Sequence, residues 1–317
     1  MITVLAGGVG AARFLEGLYA VHPPEQITVI SNVGDDLEIY GVRVSPDIDI
    51  VLYTVAGLID PRGWGVIHDT FHVVESLERF GEETWFRLGD RDYATSLFRT
   101  RRLLEGASLS QVTDEIRRAL GLRFRLIPAT DLPLQTKIST TSGKLDFQDY
   151  FVRRRQADEV LKVTFEGPGK AKPAPGVLRS ILDAEAVIVA PSNPLVSIAP
   201  ILAVKGIREA LRDTSARVAA ISPIVHGGAI KGPADRMLRS MGMESSALQV
   251  ARLYQDFLDL FVIDVADVEL ADAVAELDIQ PLVTETVMRD FQVKRNLAAA
   301  TLSALGFPPD ARGADPG

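Results

Sequence analysis

The sequence contains no cysteine. That single absence excludes disulfides, thiolate zinc centres and cysteine nucleophiles together. Histidine is nearly as scarce, with only His22, His68, His72 and His226 in the chain. His68 and His72 stand at i, i+4, but Asp69 follows His68 where a zinc protease needs glutamate. The pair therefore reads as ordinary surface or site-rim residues. No serine sits in a nucleophile elbow. No apolar run approaches the ~18 residues that a membrane helix needs. The chain opens directly on the strand-like Met1-Ile2-Thr3-Val4-Leu5, without a basic segment leading into an apolar one, so a signal peptide is not expected and a cytoplasmic location is. Basic residues are outnumbered, 34 Lys and Arg against 42 Asp and Glu, for a net charge of −8. Nucleic acid, which demands a basic face, is not an expected partner. A small anion held by local donors remains compatible with that charge.

What is present is a core: 47 % of the 317 residues are hydrophobic, enough for one large α/β domain or two small ones. Ile2–Ala6 is an apolar run ending in glycines, followed by a helical pattern over Ala11–Ala20 and a second apolar run over Ile27–Asn32. Strand, helix and strand within about thirty residues make a βαβ unit and favour a parallel sheet. Further sheet strands are expected at Ala186–Ala190, Arg217–Ser222 and Phe261–Asp264. Helices are expected at Pro200–Arg212, Pro233–Met241, Ser246–Leu258 and Thr286–Leu305. The middle differs. Leu104–Leu120 reads as helical, and Arg123–Ile127, Thr136–Thr140, Phe147–Arg153 and Val160–Phe165 read as small antiparallel strands. Glu166–Gly176 reads as a loop. The expectation is a Rossmann-like α/β fold, three layers about a parallel sheet, with a smaller α+β insertion at about 100–180. It forms a single domain over 1–305, with a flexible tail at 306–317.

Six segments carry candidate chemistry. Gly7-Gly8-Val9-Gly10 lies between strand and helix, where glycines let a phosphate approach the backbone and the helix N-terminus offers free N–H groups. It lacks the lysine of a P-loop and the full dinucleotide spacing, so a ligand-free tight turn is the bland alternative. Arg13, one turn on, would add a charge. Asn32-Val33-Gly34-Asp35-Asp36 ends the second strand, where ligands of open parallel sheets bind; its paired carboxylates suit Mg²⁺ shared with phosphates, against a plain helix cap. Asp47 and Asp49 follow within fifteen residues, sharing a side if extended but not in the turn that Pro46 favours. Four aspartates so close are costly without cations or donors. Leu88-Gly89-Asp90-Arg91-Asp92 offers a guanidinium flanked by carboxylates, and Trp64, between Gly63 and Gly65, a flat ring for stacking or core packing. Ala190-Pro191-Ser192-Asn193-Pro194 supplies donors and acceptors that suit a nucleobase edge, or simply a turn. The run from Ser222 to Gly228, with Lys231 nearby, offers a second anion contact.

Together these segments resemble the 2-phospho-L-lactate transferase family of deazaflavin coenzyme F420 biosynthesis, whose actinobacterial members act as phosphoenolpyruvate transferases. The resemblance runs from Gly7 to about Asp290. It rests on Gly7-Gly8-Val9-Gly10-Ala11-Ala12-Arg13-Phe14, Asn32-Val33-Gly34-Asp35-Asp36, Pro46-Asp47-Ile48-Asp49, Gly63-Trp64-Gly65, Leu88-Gly89-Asp90-Arg91-Asp92, the stretch from Ala190 to Ile198, and Ser222-Pro223-Ile224. It implies transfer of a 2-phospholactyl or phosphoenolpyruvyl unit from its guanosine diphosphate ester to the terminal ribityl hydroxyl of the deazaflavin Fo, with release of GMP. It also implies a need for Mg²⁺ and a homodimer. By position, Asp35 and Asp49 match metal-binding carboxylates, and Asp49 and Arg91 match contacts to the acceptor. The turn of Gly7, Gly8, Val9 and Gly10, with Arg13, would face the diphosphate, and Ser192 and Asn193 the guanine. Asp49 would orient or deprotonate the attacking hydroxyl. Two departures stand out: Ile50 where the family usually has threonine, and Ala199 where glycine is common. The competing readings are a nucleotide-sugar-binding regulator of the same fold, which would form no product from Fo, and an NAD-dependent dehydrogenase, for which no catalytic histidine or tyrosine-lysine pair is apparent.

Overall fold

The first strand, β1 (Ile2–Ala6), is buried along its whole length, as a central parallel strand covered on both faces must be. The computed structural model describes residues 1–167 and 171–307. Helix α1 (Gly8–Val21) follows β1 directly and returns the chain to β2 (Ile27–Ser31), parallel to β1 with Ile2 opposite Ile27. A short hairpin, β3 (Leu37–Ile39) and β4 (Val42–Val44), leads into α2 (Pro46–Val55). Helices α3 (His72–Arg79), α4 (Asp90–Leu104) and α5 (Leu109–Ala119) precede β5 (Arg125–Pro128), which pairs in parallel with β2. An antiparallel sheet of β6 (Gln135–Thr140), β7 (Gly143–Asp146) and β8 (Val160–Glu166) comes next.

The chain then resumes its α/β alternation. Helix α6 (Val177–Leu182) leads to β9 (Ala186–Val189), and α7 (Ala199–Ala203) and α8 (Ile207–Asp213) lead to β10 (Arg217–Ile221). The short hairpin β11 (Ile224–Val225) and β12 (Gly228–Ala229) is followed by α9 (Ala234–Ser240) and α10 (Ala247–Tyr254). Strand β13 (Leu260–Asp264), helix α11 (Ala271–Ala275), β14 (Gln280–Thr284) and α12 (Phe291–Ala304) complete it. The central sheet is wholly parallel, in the order β14-β13-β10-β9-β1-β2-β5. The α/β class and the parallel sheet expected from the sequence are what the chain adopts.

Several local expectations are corrected. Arg123–Ile127 is not part of an antiparallel insertion; β5 is an edge strand of the main sheet. Phe147–Arg153 is no strand, because Asp149–Arg153 winds as a π-helical turn. Helicity does not run unbroken over Leu104–Leu120. It starts earlier, in α4, breaks after Leu104, and restarts where Ser108 caps α5 in a capping box with Gln111, a strong start signal. The helix expected over Pro200–Arg212 is broken at Gly206, which has a φ of +90°. Thr286–Leu305 is helical only from Phe291, capped by Asp290. Strand β14 was not expected; it carries Pro281, which an edge strand tolerates. Of the expected loop at Glu166–Gly176, Glu166 ends β8 and residues 168–170 lie outside the described residues. Of the expected tail, residues 308–317 do too, while Phe307 packs on the core with its ring edge-on to His22.

Candidate active site

All seven strands of a parallel sheet deliver their carboxyl ends to one edge, and ligands of open α/β sheets bind there. The loops that leave β1, β2, β9, β10 and β14 enclose, with α2 and part of the antiparallel insertion, a cavity of about 590 Å³.

Helix α1 has no side-chain cap, so its first turn leaves backbone N–H groups without helical partners. The carboxylate of Asp47 lies against this turn: a Cβ on Gly7 would stand 2.8 Å from its Oδ2. Asp47 also accepts from the Asn32 side-chain amide at 2.8 Å, and the Asn32 carbonyl accepts the Gly34 N–H at 2.8 Å. Asp47 therefore fastens the glycine turn to the loop after β2. Gly10 is fixed by a different constraint: a Cβ there would run into the carbonyl of Pro191. Only glycine lets α1 approach the loop after β9 that closely. Gly7, Gly8, Val9 and Gly10 all line the cavity at the positive end of α1. Arg13 lines the same wall, its guanidinium donating to the carbonyl of Met288.

Pro46 occupies the start of α2, and Asp47 and Asp49 lie in its first turn, a position that suits both proline and acidic side chains. The segment is thus neither extended nor a simple turn. Asp49 is buried and ion-paired with Arg99, a fully buried guanidinium on α4 that also donates to the carbonyl of Arg43 at 3.3 Å. Asp49 Oδ2 and Asp35 Oδ1 are buried with no hydrogen-bond partner. Burial pushes the Asp35 carboxyl well above the usual range, helped by the charges of Asp47 and Asp36. Burial also raises Asp36 to about 8, Asp47 to about 6 and Asp49 upward, the last against the opposing pull of Arg99. Carboxylates disfavoured in this way are relieved by a cation. Among the described residues no three His, Asp or Glu side chains form a ready cation cage. The donor set nonetheless fits Mg²⁺, which commonly takes one or two carboxylates and completes its shell with phosphate oxygens and water.

The structure separates two residues that the sequence places together. Arg91 is exposed, outside the cavity lining, and its guanidinium donates to the carbonyl of Ile67 at 3.3 Å. The flanking carboxylates do not hold it: Asp90 accepts from Thr70, His72 and Val73, and Asp92 accepts the Tyr53 hydroxyl at 3.0 Å. Asp92 itself lines the cavity, its carboxyl raised to about 7 by burial and then by the charge of Asp49. Arg99 escaped the sequence reading, and Asp92 entered it only as a carboxylate flanking Arg91. Their spacing, i and i+7 on one helix, places both on one face, and that was the available signal.

The far wall is aromatic. Trp64, Trp85, Phe86, Phe147 and Phe151 line it, with the Phe147 and Phe151 rings stacked at 5.3 Å. Trp64 is thus not a core residue; it is 42 % exposed beneath the guanidinium of Arg62 at 4.4 Å. On the β9 side, Ser192 and Asn193 line the cavity. Asn193 is occupied in part as a cap, accepting from Leu195 and Val196, whereas Ser192 Oγ is buried without a partner. Lys231 also lines the cavity.

Comparison with known proteins gives this arrangement a context. The model of the family described as 2-phospho-L-lactate transferase CofD matches residues 2–302. A phosphoenolpyruvate transferase of Kitasatospora aureofaciens is 40 % identical over 310 residues, covering 95 % of this chain and 97 % of the relative. A 2-phospho-L-lactate transferase of Methanocaldococcus jannaschii is 39 % identical over 311 residues, covering 96 % and 98 %. Among solved structures, a UPF0052-family protein of Bacillus halodurans superposes with a TM-score of 0.62 at 17 % identity, covering 95 % of this chain and 98 % of that one, a likeness of fold.

Proposed function

The chain belongs to the 2-phospho-L-lactate transferase CofD family, and from that premise we propose that it moves a 2-phospholactyl or phosphoenolpyruvyl unit from its guanosine diphosphate ester to the terminal ribityl hydroxyl of Fo, releasing GMP. The observation that carries the reading is one cavity with three kinds of wall. A helix N-terminus built for anions, the carboxylates of Asp35 and Asp49 with one buried unpartnered oxygen each, and a run of aromatic rings all line it. A diphosphate, a hard cation and a flat deazaflavin ring need these three surfaces respectively.

Phosphoryl transfer is mostly positioning and charge neutralisation. The first-turn amides of α1 and the guanidinium of Arg13 bind the diphosphate. Ser192 Oγ meets the guanine or its ribose, which would satisfy a buried hydroxyl that otherwise lacks a partner. Asp35 and Asp49 would hold Mg²⁺, which when bound neutralises the diphosphate and stabilises the departing GMP. Asp49, held by Arg99 on one oxygen, presents the other to the acceptor hydroxyl. That hydroxyl oxygen bonds to the phosphorus bearing the three-carbon unit, and its proton passes to Asp49 Oδ2. The bond from that phosphorus to the bridging oxygen breaks, and its electron pair leaves with GMP. Arg91 remains the acceptor contact that the resemblance implies, in a place outside the cavity lining as it stands. Cytoplasmic placement and a homodimer follow the same reading. Among the described residues no helix is long and apolar enough to cross a membrane.

The test is mass spectrometry of reactions containing Fo, Mg²⁺ and each guanylated donor in turn: the phospholactyl, phosphoenolpyruvyl and phosphoglyceryl esters. One of them should give the Fo phosphodiester together with GMP. Absence of product from all three, with GDP still bound, would instead favour a nucleotide-binding regulator.

A further inference from the structure

Lys231 is a cavity cation that the scheme above leaves unused. It is exposed, lines the cavity, and makes no hydrogen bond or ion pair among the described residues. The other cavity cations differ. Arg13 donates to the Met288 carbonyl and is already given to the diphosphate in that scheme, Arg62 is held by Asp60 and the Trp64 ring, and Arg87 by the Phe71 ring. A Cβ built on Gly63 would stand 2.8 Å from Lys231 Nζ, and Gly63 has a φ of +87°. The ammonium thus lies close beside the Gly63 backbone.

Topology says what this contact spans. Lys231 belongs to the segment after β10, and Gly63 to the segment after α2, whose hairpin follows β2. In the sheet, β10 and β2 flank β9 and β1. The two segments therefore come from opposite sides of the strand that carries the glycine turn, and they meet at the ammonium. A lysine that sets up such a contact brings no partner of its own to offset its charge. A point cation with free donors, lining the same cavity as a helix N-terminus, is equipped for a phosphate.

We propose that Lys231 is a direct contact to the diphosphate of the guanylated donor, in the cavity that the α1 N-terminus also lines. The inference rests on the transferase reading. In the step itself the bridging P–O bond breaks and its electron pair leaves on GMP. Lys231 stabilises that growing charge as a hydrogen-bond donor and keeps its own proton.

The experiment is calorimetric titration of the full chain with GDP and with GMP at two salt concentrations, on the parent, Lys231→Gln and Lys231→Arg. Losing one charge-assisted phosphate contact should weaken GDP binding on the order of tenfold in Lys231→Gln, with GMP less affected and the salt dependence of GDP binding reduced. Lys231→Arg should recover most of the loss. If Lys231→Gln binds GDP within twofold of the parent, the inference fails and the transferase reading stands. If the parent binds no GDP at all, both fail. Lys231 lies on an exposed loop, so equal thermal melting of all three proteins separates lost contact from lost fold.

Discussion

The guanidinium of Arg99 closes on one carboxylate oxygen of Asp49 in the interior, while the other oxygen of the same carboxylate has no partner. The pair is asymmetric by construction, with one oxygen fixed and the other buried without a partner in a residue that lines the cavity. Removing the arginine would leave an uncompensated buried charge. Arg99→Met should therefore lower unfolding stability by about 3–5 kcal/mol in urea titrations. The double variant Arg99→Met, Asp49→Leu should regain most of that loss while remaining inactive, because a well-packed apolar pair is often no worse than a buried ion pair. A double variant as unstable as the single one would show that the arginine matters through packing and not through its charge.

Asp49→Asn preserves shape and removes the proton acceptor. Turnover should fall by ~10²–10⁴, the usual weight of general base catalysis, while GDP affinity changes little. Steady-state kinetics with Fo and the active donor, alongside GDP titration, read the two effects separately. Near-normal turnover would remove Asp49 from the chemistry and leave it as a structural partner of Arg99.

The buried acids also predict a pH dependence. Asp92 has a folded value of about 7 against an ordinary 3.8. A carboxyl whose folded value is raised holds its proton more tightly in the native state. Its stabilising effect is full below about 4 and is lost as pH rises through about 7. Metal-free protein should thus melt at progressively lower temperature from pH 4.5 to 7.5. Asp92→Asn should flatten that slope, since asparagine has no proton to lose. An unchanged slope in Asp92→Asn would place the dependence on other groups.

How far the sequence foretold this site depends on where each side chain gets its partner. The glycine turn, Asp35, Asp49 and Ser192 were legible because they immediately follow strands or a proline-marked helix start, and strand ends converge in any parallel sheet. Arg91 was placed between two carboxylates on local spacing alone. In the fold those carboxylates are taken by Thr70, His72, Val73 and Tyr53, all distant in sequence except through tertiary contact. Arg99 was missed for the converse reason, since its partner lies fifty residues away and an interior arginine looks like any other helix cation until the partner is known. Among the elements, β14 was hidden by Pro281, tolerable only because the strand is at an edge. The Asp149–Arg153 turn was hidden by an apolar alternation that fits a strand equally well.

The tightest approach in the site gives the sharpest prediction. Helix α1 touches the loop after β9 through Gly10, where an added Cβ would meet the Pro191 carbonyl, a backbone atom that no rotamer change can move aside. Gly10→Ala must therefore shift the helix or the loop. Overpacking of this kind costs about 1–3 kcal/mol, partly offset because alanine favours a helix over glycine by roughly 0.8–1.0 kcal/mol. The net stability change in denaturant titration should thus be modest. The functional change should not be, because the same shift separates the first-turn amides from Ser192, the two surfaces read here as holding one nucleotide. GDP affinity should fall by at least about tenfold, since even 1.4 kcal/mol of lost contact is a factor of ten. Ala11→Gly, one position on, loses a buried methyl and helix propensity but adds no atom against Pro191; it serves as the control and should bind GDP normally if its fold is retained. A Gly10→Ala protein that binds GDP as well as the parent would mean that the glycine turn serves packing alone, and that the diphosphate lies elsewhere in the cavity.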